Sequence, residues 1–271
     1  MKLAWIILSR DRAMQLDALL RSMALHARNA APVYIYYMAT DAAHRAAYFD
    51  VFRRHAQLVS GVVVDSGFRA GLRYLVGSVN AERIAFLMDD QVFVRATDLE
   101  RALIFDPRQA IFSFRLGSRI TECQPLGNLK TPPPRFHPFD RPGYLVWRWR
   151  EGRGDWGCRQ SLDGNVFLRS QVIDILSKRE FHGPQSLEAA LDDRLLTAEL
   201  GVCEESPSVV NLAINRVSTE AVVYPSGDCH TDVLLEHWVK GFQMDVDAIA
   251  AIPFSACHAI VDLAIQARGG D

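Results

Sequence analysis

Three times near its start, this chain passes from a short apolar run to a polar turn and then to residues at helical spacing. Leu3-Ala4-Trp5-Ile6-Ile7-Leu8 is apolar throughout, as expected of a strand buried on both faces. Ser9 to Arg12 is a polar turn, and Met14, Leu16, Leu19, Leu20 and Met23 then recur at helical spacing. Val33 to Tyr37 is a second strand, followed by Thr40-Asp41 and a helix through His55. Leu58 to Val64 is a third, ending at Asp65-Ser66-Gly67, with a helix over about Phe68 to Val79. Ile84 to Met88 is a fourth strand. Strands alternating with helices predict an α/β fold, with a mostly parallel sheet and helices on both faces.

The fourth strand runs straight into Asp89-Asp90-Gln91, and Val92-Phe93 follow at once. Carboxylates are costly to bury unless they are paired or bind a metal. In open α/β sheets, ligands sit beyond the carboxyl ends of the strands. A divalent cation held there could grip a diphosphate. The plainer alternative is a strand followed by a capped turn.

The rhythm changes after about residue 105. Ala110 to Leu116 and Leu145 to Trp149 read as strands, and Asp163 to Phe167 enters another. Between them lies a long loop with Pro125, Pro132 to Pro134, Pro138 and Pro142. Loops of that length are often lids or binding segments. Helices are expected over Ser170 to about Arg179, Ser186 to Leu200 with Ser186 as cap, Thr231 to Gly241, and Val246 to Ala267. Short strands are expected at Ser208 to Val210 and Ala221 to Val223. The break divides the chain into residues 1–105 and 106–271, two halves of one domain.

The 271 residues are 49% hydrophobic with a formal net charge of −2, so global charge gives no support to a nucleic-acid partner. Local basic clusters at Arg10 to Arg12 and Arg148 to Arg159 suit a local anionic ligand better. The five cysteines are odd in number and show no CxxC spacing, which argues for reduced thiols rather than a disulfide framework or structural zinc. No apolar stretch reaches transmembrane length, and Leu3 to Leu8 is too short for a signal peptide. The expectation is a cytoplasmic protein, able to work at the inner face of a membrane through its substrate.

Taken in order, these segments resemble the GT-A glycosyltransferases, and within them the inverting family 2 type. Ile6-Ile7-Leu8-Ser9-Arg10-Asp11-Arg12, with Leu16, Leu19, Leu20 and Ser22, is similar to that family's first strand and helix. Phe86-Leu87-Met88-Asp89-Asp90-Gln91 is similar to its DxD region, and Gly164 to Arg169 to the strand before its acceptor helix. Leu187-Glu188-Ala189-Ala190-Leu191 stands in the place of its E-D-x-x-L. The resemblance covers roughly residues 3 to 200. It departs from the family pattern at Gln91, where a carboxylate is expected, and at Ala189, where the second acidic residue is expected.

The resemblance implies a Rossmann-like GT-A sheet, a nucleotide-sugar-binding half in residues 1–105, and an acceptor-binding, catalytic half with its own subdomain in residues 106–271. It implies inverting, metal-dependent transfer of a sugar from a nucleoside-diphosphate donor to a hydroxyl of a saccharide or lipid-linked acceptor, as in polysaccharide biosynthesis. Asp89, Asp90 and His230 would hold Mn²⁺ or Mg²⁺, which stabilises charge on the leaving diphosphate. Arg10, Arg12, Asp65, Arg69 and Asp89 would contact the nucleotide. Glu188 would be the general base, with Asp192 and Asp193 in reserve. Trp156, Asp163 and Asn165 would line the acceptor side. Cys158 and Cys229 have no paired base in sequence and are poor nucleophile candidates. Two other readings stay open. A sugar nucleotidyltransferase would want a glycine-rich loop after the first strand, and Ser9 to Arg12 has no glycine. A non-catalytic sugar- or nucleotide-binding domain draws support from Gln91 and Ala189.

Overall fold

The computed structural model describes residues 2–29, 31–192, 194–220 and 225–269. The first half alternates as the sequence predicts: β1 (Leu3–Arg10), α1 (Ala13–His26), β2 (Val33–Met38), α2 (Ala42–Arg54), β3 (Val59–Val64), α3 (Phe68–Ser78) and β4 (Arg83–Met88). β1 pairs in parallel with both β2 and β4, and β2 with β3. Alternate residues of β1 feed opposite faces of this sheet, as the period of two requires. Trp5 and Ile7 pack with Leu16 and Leu20 of α1 on one side. Ile6 and Leu8 pack with Leu72 of α3 and Phe86 on the other.

After β4 the chain turns back at once as β5 (Gln91–Phe93). The second half adds β6 (Ala110–Phe112), β7 (Tyr144–Arg148), β8 (Val166–Leu168), α4 (Arg169–Lys178), α5 (Pro184–Leu191), β9 (Leu200–Glu204) and β10 (Val209–Leu212). It closes with α6 (Thr231–Val239), α7 (Val246–Ala250) and β11 (His258–Ala259). β8 joins the central sheet antiparallel to β4, giving the order β8-β4-β1-β2-β3. Two small sheets, β7-β9-β6 and β11-β10-β5, flank it. β9 lies close over the β7 indole, because a Cβ on Gly201 would meet the Trp147 ring at 2.3 Å.

Several boundaries differ from expectation. α5 ends at Leu191, short of Leu200, because Leu196 and Ala198 leave helical geometry to fill the core beside Trp147 before β9 begins. Its cap is Gly183 with Pro184 in the first turn, while Ser186 Oγ accepts from the Gly183 N–H at 3.0 Å. α7 stops at Ala250, far short of Ala267, three residues before Pro253, which cannot continue a helix. The strand expected at Ala221 to Val223 lies outside the described residues. Among the described residues, no helix is long and apolar enough to cross a membrane.

Candidate active site

A cavity of about 600 Å³ opens beyond the carboxyl ends of β1, β2 and β4. Its size falls in the usual range for small-molecule sites. Arg10, Arg12, Asp65, Asp89 and Asp90 line it from the first half of the chain, and Asp163 and Glu188 from the second. The structure thus gathers seven of the residues singled out from sequence into one concavity.

Asp11 makes this gathering possible. Its φ of 53° is left-handed, a conformation that Asp tolerates better than most residues. Its backbone N–H meets the Met38 carbonyl at 3.1 Å, and its Oδ1 accepts from Thr40 N–H at 2.8 Å. The turn sends the Arg12 side chain back beneath the strand ends. There its Nη1 lies 3.0 Å from Asp89 Oδ1 and 2.8 Å from Asp90 Oδ2.

The remaining oxygens of the pair are also occupied. Asp89 Oδ2 accepts from Ser9 Oγ at 2.8 Å and from Arg10 N–H at 3.0 Å. Asp90 Oδ1 accepts from Asn211 Nδ2 at 2.8 Å. Burial raises the pKa of both carboxyls against the pull of Arg12, and Asp90 is pushed up to about 6. Burial also opposes the charge on Arg12, but Asp90 and Asp89 outweigh it and hold the guanidinium protonated.

A divalent cation on Asp89 and Asp90 is therefore a poor fit to these residues. A guanidinium stands between the two carboxylates, and the DxD-like run supplies no third one. Gln91 is turned inward, accepting from Met88 N–H at 2.9 Å and donating to Asp163 Oδ1 at 3.0 Å. Among the described residues, no group of three or more His, Cys, Asp or Glu side chains is placed to hold a metal.

Among the described residues Asp163 has three side-chain partners, Ser161 Oγ donating to its Oδ2 at 3.2 Å. Besides Gln91, its Oδ2 meets His258 Nε2 at 3.1 Å. Burial works against Asp163 ionising, but the His258 hydrogen bond and charge win and lower its pKa. Burial likewise opposes the charge on His258, and Asp163 overcomes it, raising the imidazole to about 9. Glu188 projects from the last turns of α5 and accepts from Leu162 N–H at 2.9 Å. Burial, reinforced by the Asp163 charge, pushes its carboxyl up to about 7. Such a group changes protonation near neutrality, which suits acid–base work.

Several participants were not anticipated. Asn211, Asn215 and His258 come from the last third of the chain, where the resemblance does not reach. Arg12 Nη2 donates to the Asn215 carbonyl at 2.6 Å. Glu220 accepts from Gln185 N–H and Ser186 N–H, both at 2.8 Å, and so caps the helix that carries Glu188. Residues 211–220 thus run along the cavity from the Asp pair to α5. Arg115 and Asp155 form a buried ion pair beside His258. A polar residue at each of these positions was the only signal in sequence.

Other expected residues stand elsewhere. His230 is exposed at the start of α6, where its Nδ1 accepts from Asp232 N–H at 3.3 Å, so it does not reach the Asp pair. Arg69 pairs with Glu180 at 2.9 Å outside the cavity lining. Trp156 is 0% exposed, with its indole N–H on the Ile120 carbonyl at 3.0 Å and its ring against Trp147, so it has no face to offer a sugar. Asn165 is also fully buried and donates to the carbonyls of Cys158 and Arg159, shaping the loop beside the cavity. Asp192 is exposed near Arg159, and Asp193 lies outside the described residues. Cys158 lines the cavity, but burial pushes its thiol up to about 12, far from a reactive thiolate.

No protein-family model and no curated protein matches this chain in sequence. Solved structures match it in shape. TarS 1–349 of S. aureus, a GT-A glycosyltransferase, gives a TM-score of 0.50 at 9% identity, covering 79% of this chain and 61% of that one. The same protein in complex with UDP-GlcNAc gives 0.49 at 11% identity, over 77% and 57% of the two chains. A mannosyltransferase of Pyrobaculum calidifontis, in complex with GDP-Man and Mn²⁺, gives 0.36 at 15% identity over 46% and 41%. The TarS likeness shows the fold: a mainly parallel sheet flanked by helices, as in GT-A glycosyltransferases. This chain spans 61% of the length of TarS 1–349.

Proposed function

We propose that this protein is a glycosyltransferase that moves a sugar from a nucleoside-diphosphate donor to a hydroxyl of a saccharide or lipid-linked acceptor, with inversion. One observation carries the reading. A single cavity at the carboxyl ends of the parallel strands is lined by both Asp89 and Asp90 and by the neutrality-poised Glu188. Residues 1–105 form the donor half, to which Arg216 reaches across, and residues 106–271 the acceptor half.

In this reading Glu188 takes the proton from the acceptor hydroxyl. The acceptor oxygen attacks the anomeric carbon, and the bond to the diphosphate breaks on the opposite face. One base and one in-line displacement give inversion. Arg10 and Arg216 line the cavity and meet the charge of the diphosphate. Asp65 closes β3 with its Oδ1 accepting from Tyr36 and from Gly67 N–H at 2.7 Å, and it stands ready to read the nucleotide. No step is assigned to a divalent cation.

The test is release of nucleoside diphosphate from a panel of UDP- and GDP-sugars, in parallel with thermal shift by UDP and GDP. A nucleotide at a hundredfold its dissociation constant should add about 2.7 kcal/mol of stability. Binding without release under any acceptor would favour the non-catalytic reading, which the Arg12-compensated carboxylate pair also supports. No binding and no release would end the transferase reading.

A further inference from the structure

We propose that Arg12 is the built-in counter-charge of the strand-end carboxylates, so that Asp89 and Asp90 exclude a divalent cation and the nucleotide site works without one. The geometry is the argument. A cation chelated by both side chains would have to enter beside Arg12 Nη1, which lies 3.0 and 2.8 Å from the two carboxylates. The guanidinium cannot shed its proton at any physiological pH. Nor can it easily leave. Its side chain is about 5% exposed, and its Nη2 is held by the Asn215 carbonyl at 2.6 Å.

The donors around the pair point the same way. Ser9 Oγ and Arg10 N–H together fill both lone pairs of Asp89 Oδ2, and Asn211 Nδ2 takes one of the two on Asp90 Oδ1. Hard divalent cations prefer several oxygen ligands and keep water among them. Here Asp89 is buried, and its neighbours are hydrogen donors. Breaking a buried ion pair leaves an uncompensated charge, which is strongly unfavourable. A metal entering this site would do that to Arg12.

Two calorimetric titrations test the proposal, the first independent of the donor reading and the second resting on it. In the first, Mn²⁺ alone is titrated into the wild-type protein and into Arg12→Gln. Wild type should show no binding tighter than about 1 mM, whereas removing the guanidinium should raise Mn²⁺ affinity by about tenfold or more. Arg12→Lys keeps the charge and should stay near wild type. Micromolar Mn²⁺ binding by wild type overturns the assignment without any variant, so a variant that fails to fold does not shelter it.

In the second, UDP and GDP are titrated with Mn²⁺ and with EDTA. Affinities should agree within about twofold, and a gain of about tenfold or more with Mn²⁺ overturns the proposal. If neither nucleotide binds under either condition, the donor reading fails, and the Mn²⁺ titration alone still decides the role of Arg12.

Discussion

His258 Nε2 lies 3.1 Å from Asp163 Oδ2, a contact between β11 and the loop before β8. Asp155 and Arg115 also face this imidazole, one raising and the other lowering its pKa. The hydrogen bond and charge of Asp163 prevail over burial and bring His258 to about 9. A histidine held above its unfolded value of about 6.5 stabilises the fold fully below that pH. The contribution is lost as pH rises through about 9. His258→Gln should therefore flatten the fall in Tm between pH 6.5 and 9. An unchanged alkaline slope would count against the pair.

Glu188→Gln should lower transfer by about 10²–10⁴-fold if Glu188 is the base. The amide oxygen can still accept from Leu162 N–H, so the fold and the nucleotide affinity should hold. With a folded pKa of about 7, the wild-type rate should climb as pH rises through neutrality, and the variant should lose that climb. A full rate in the variant would remove Glu188 from the chemistry.

Trp156→Phe separates a sugar platform from a core residue. The buried indole donates to the Ile120 carbonyl, so the variant leaves that acceptor unpaired, at a cost of about 1–3 kcal/mol. Denaturant unfolding should show this loss, while the KM for the acceptor stays put. A large rise in KM with unchanged stability would restore the stacking role.

Gly201→Ala probes the seam between β7 and β9. The new methyl would meet the Trp147 ring at 2.3 Å. Overpacking of this kind costs about 1–3 kcal/mol. Each kcal/mol should lower Tm by roughly 2–4 °C in a domain of this size. A variant as stable as wild type would mean that Trp147 can move aside.

The central sheet was legible because a continuous apolar run in β1 and a period near 3.6 in α1 each leave a strong pattern. Trp5, Ile6, Ile7 and Leu8 show the first, and Leu16, Leu19, Leu20 and Met23 the second. The strand-end carboxylates were legible for the same reason, since they interrupt a buried run. Their partners were not. Arg12 was expected to touch a ligand, but only the left-handed turn at Asp11 aims it at Asp89 and Asp90. His258 lay in a stretch expected to be helix, but the helix ends at Ala250 ahead of Pro253, which cannot continue it, and β11 carries His258 into the cavity. His230 carried the same residue type but stands exposed as the cap of α6. Side-chain chemistry was readable, but the long-range closure that pairs it was not.

The stretch from Asn211 to Glu220 gives the site a birth order. Until it has been synthesised and docked, Asp90 lacks Asn211, Arg12 lacks the Asn215 carbonyl, and the helix of Glu188 lacks its Glu220 cap. A nascent chain that has finished its parallel sheet still lacks these three contacts. Ligand binding during synthesis should therefore begin late and abruptly, and a single nick in this stretch should silence the Asp pair and Glu188 together.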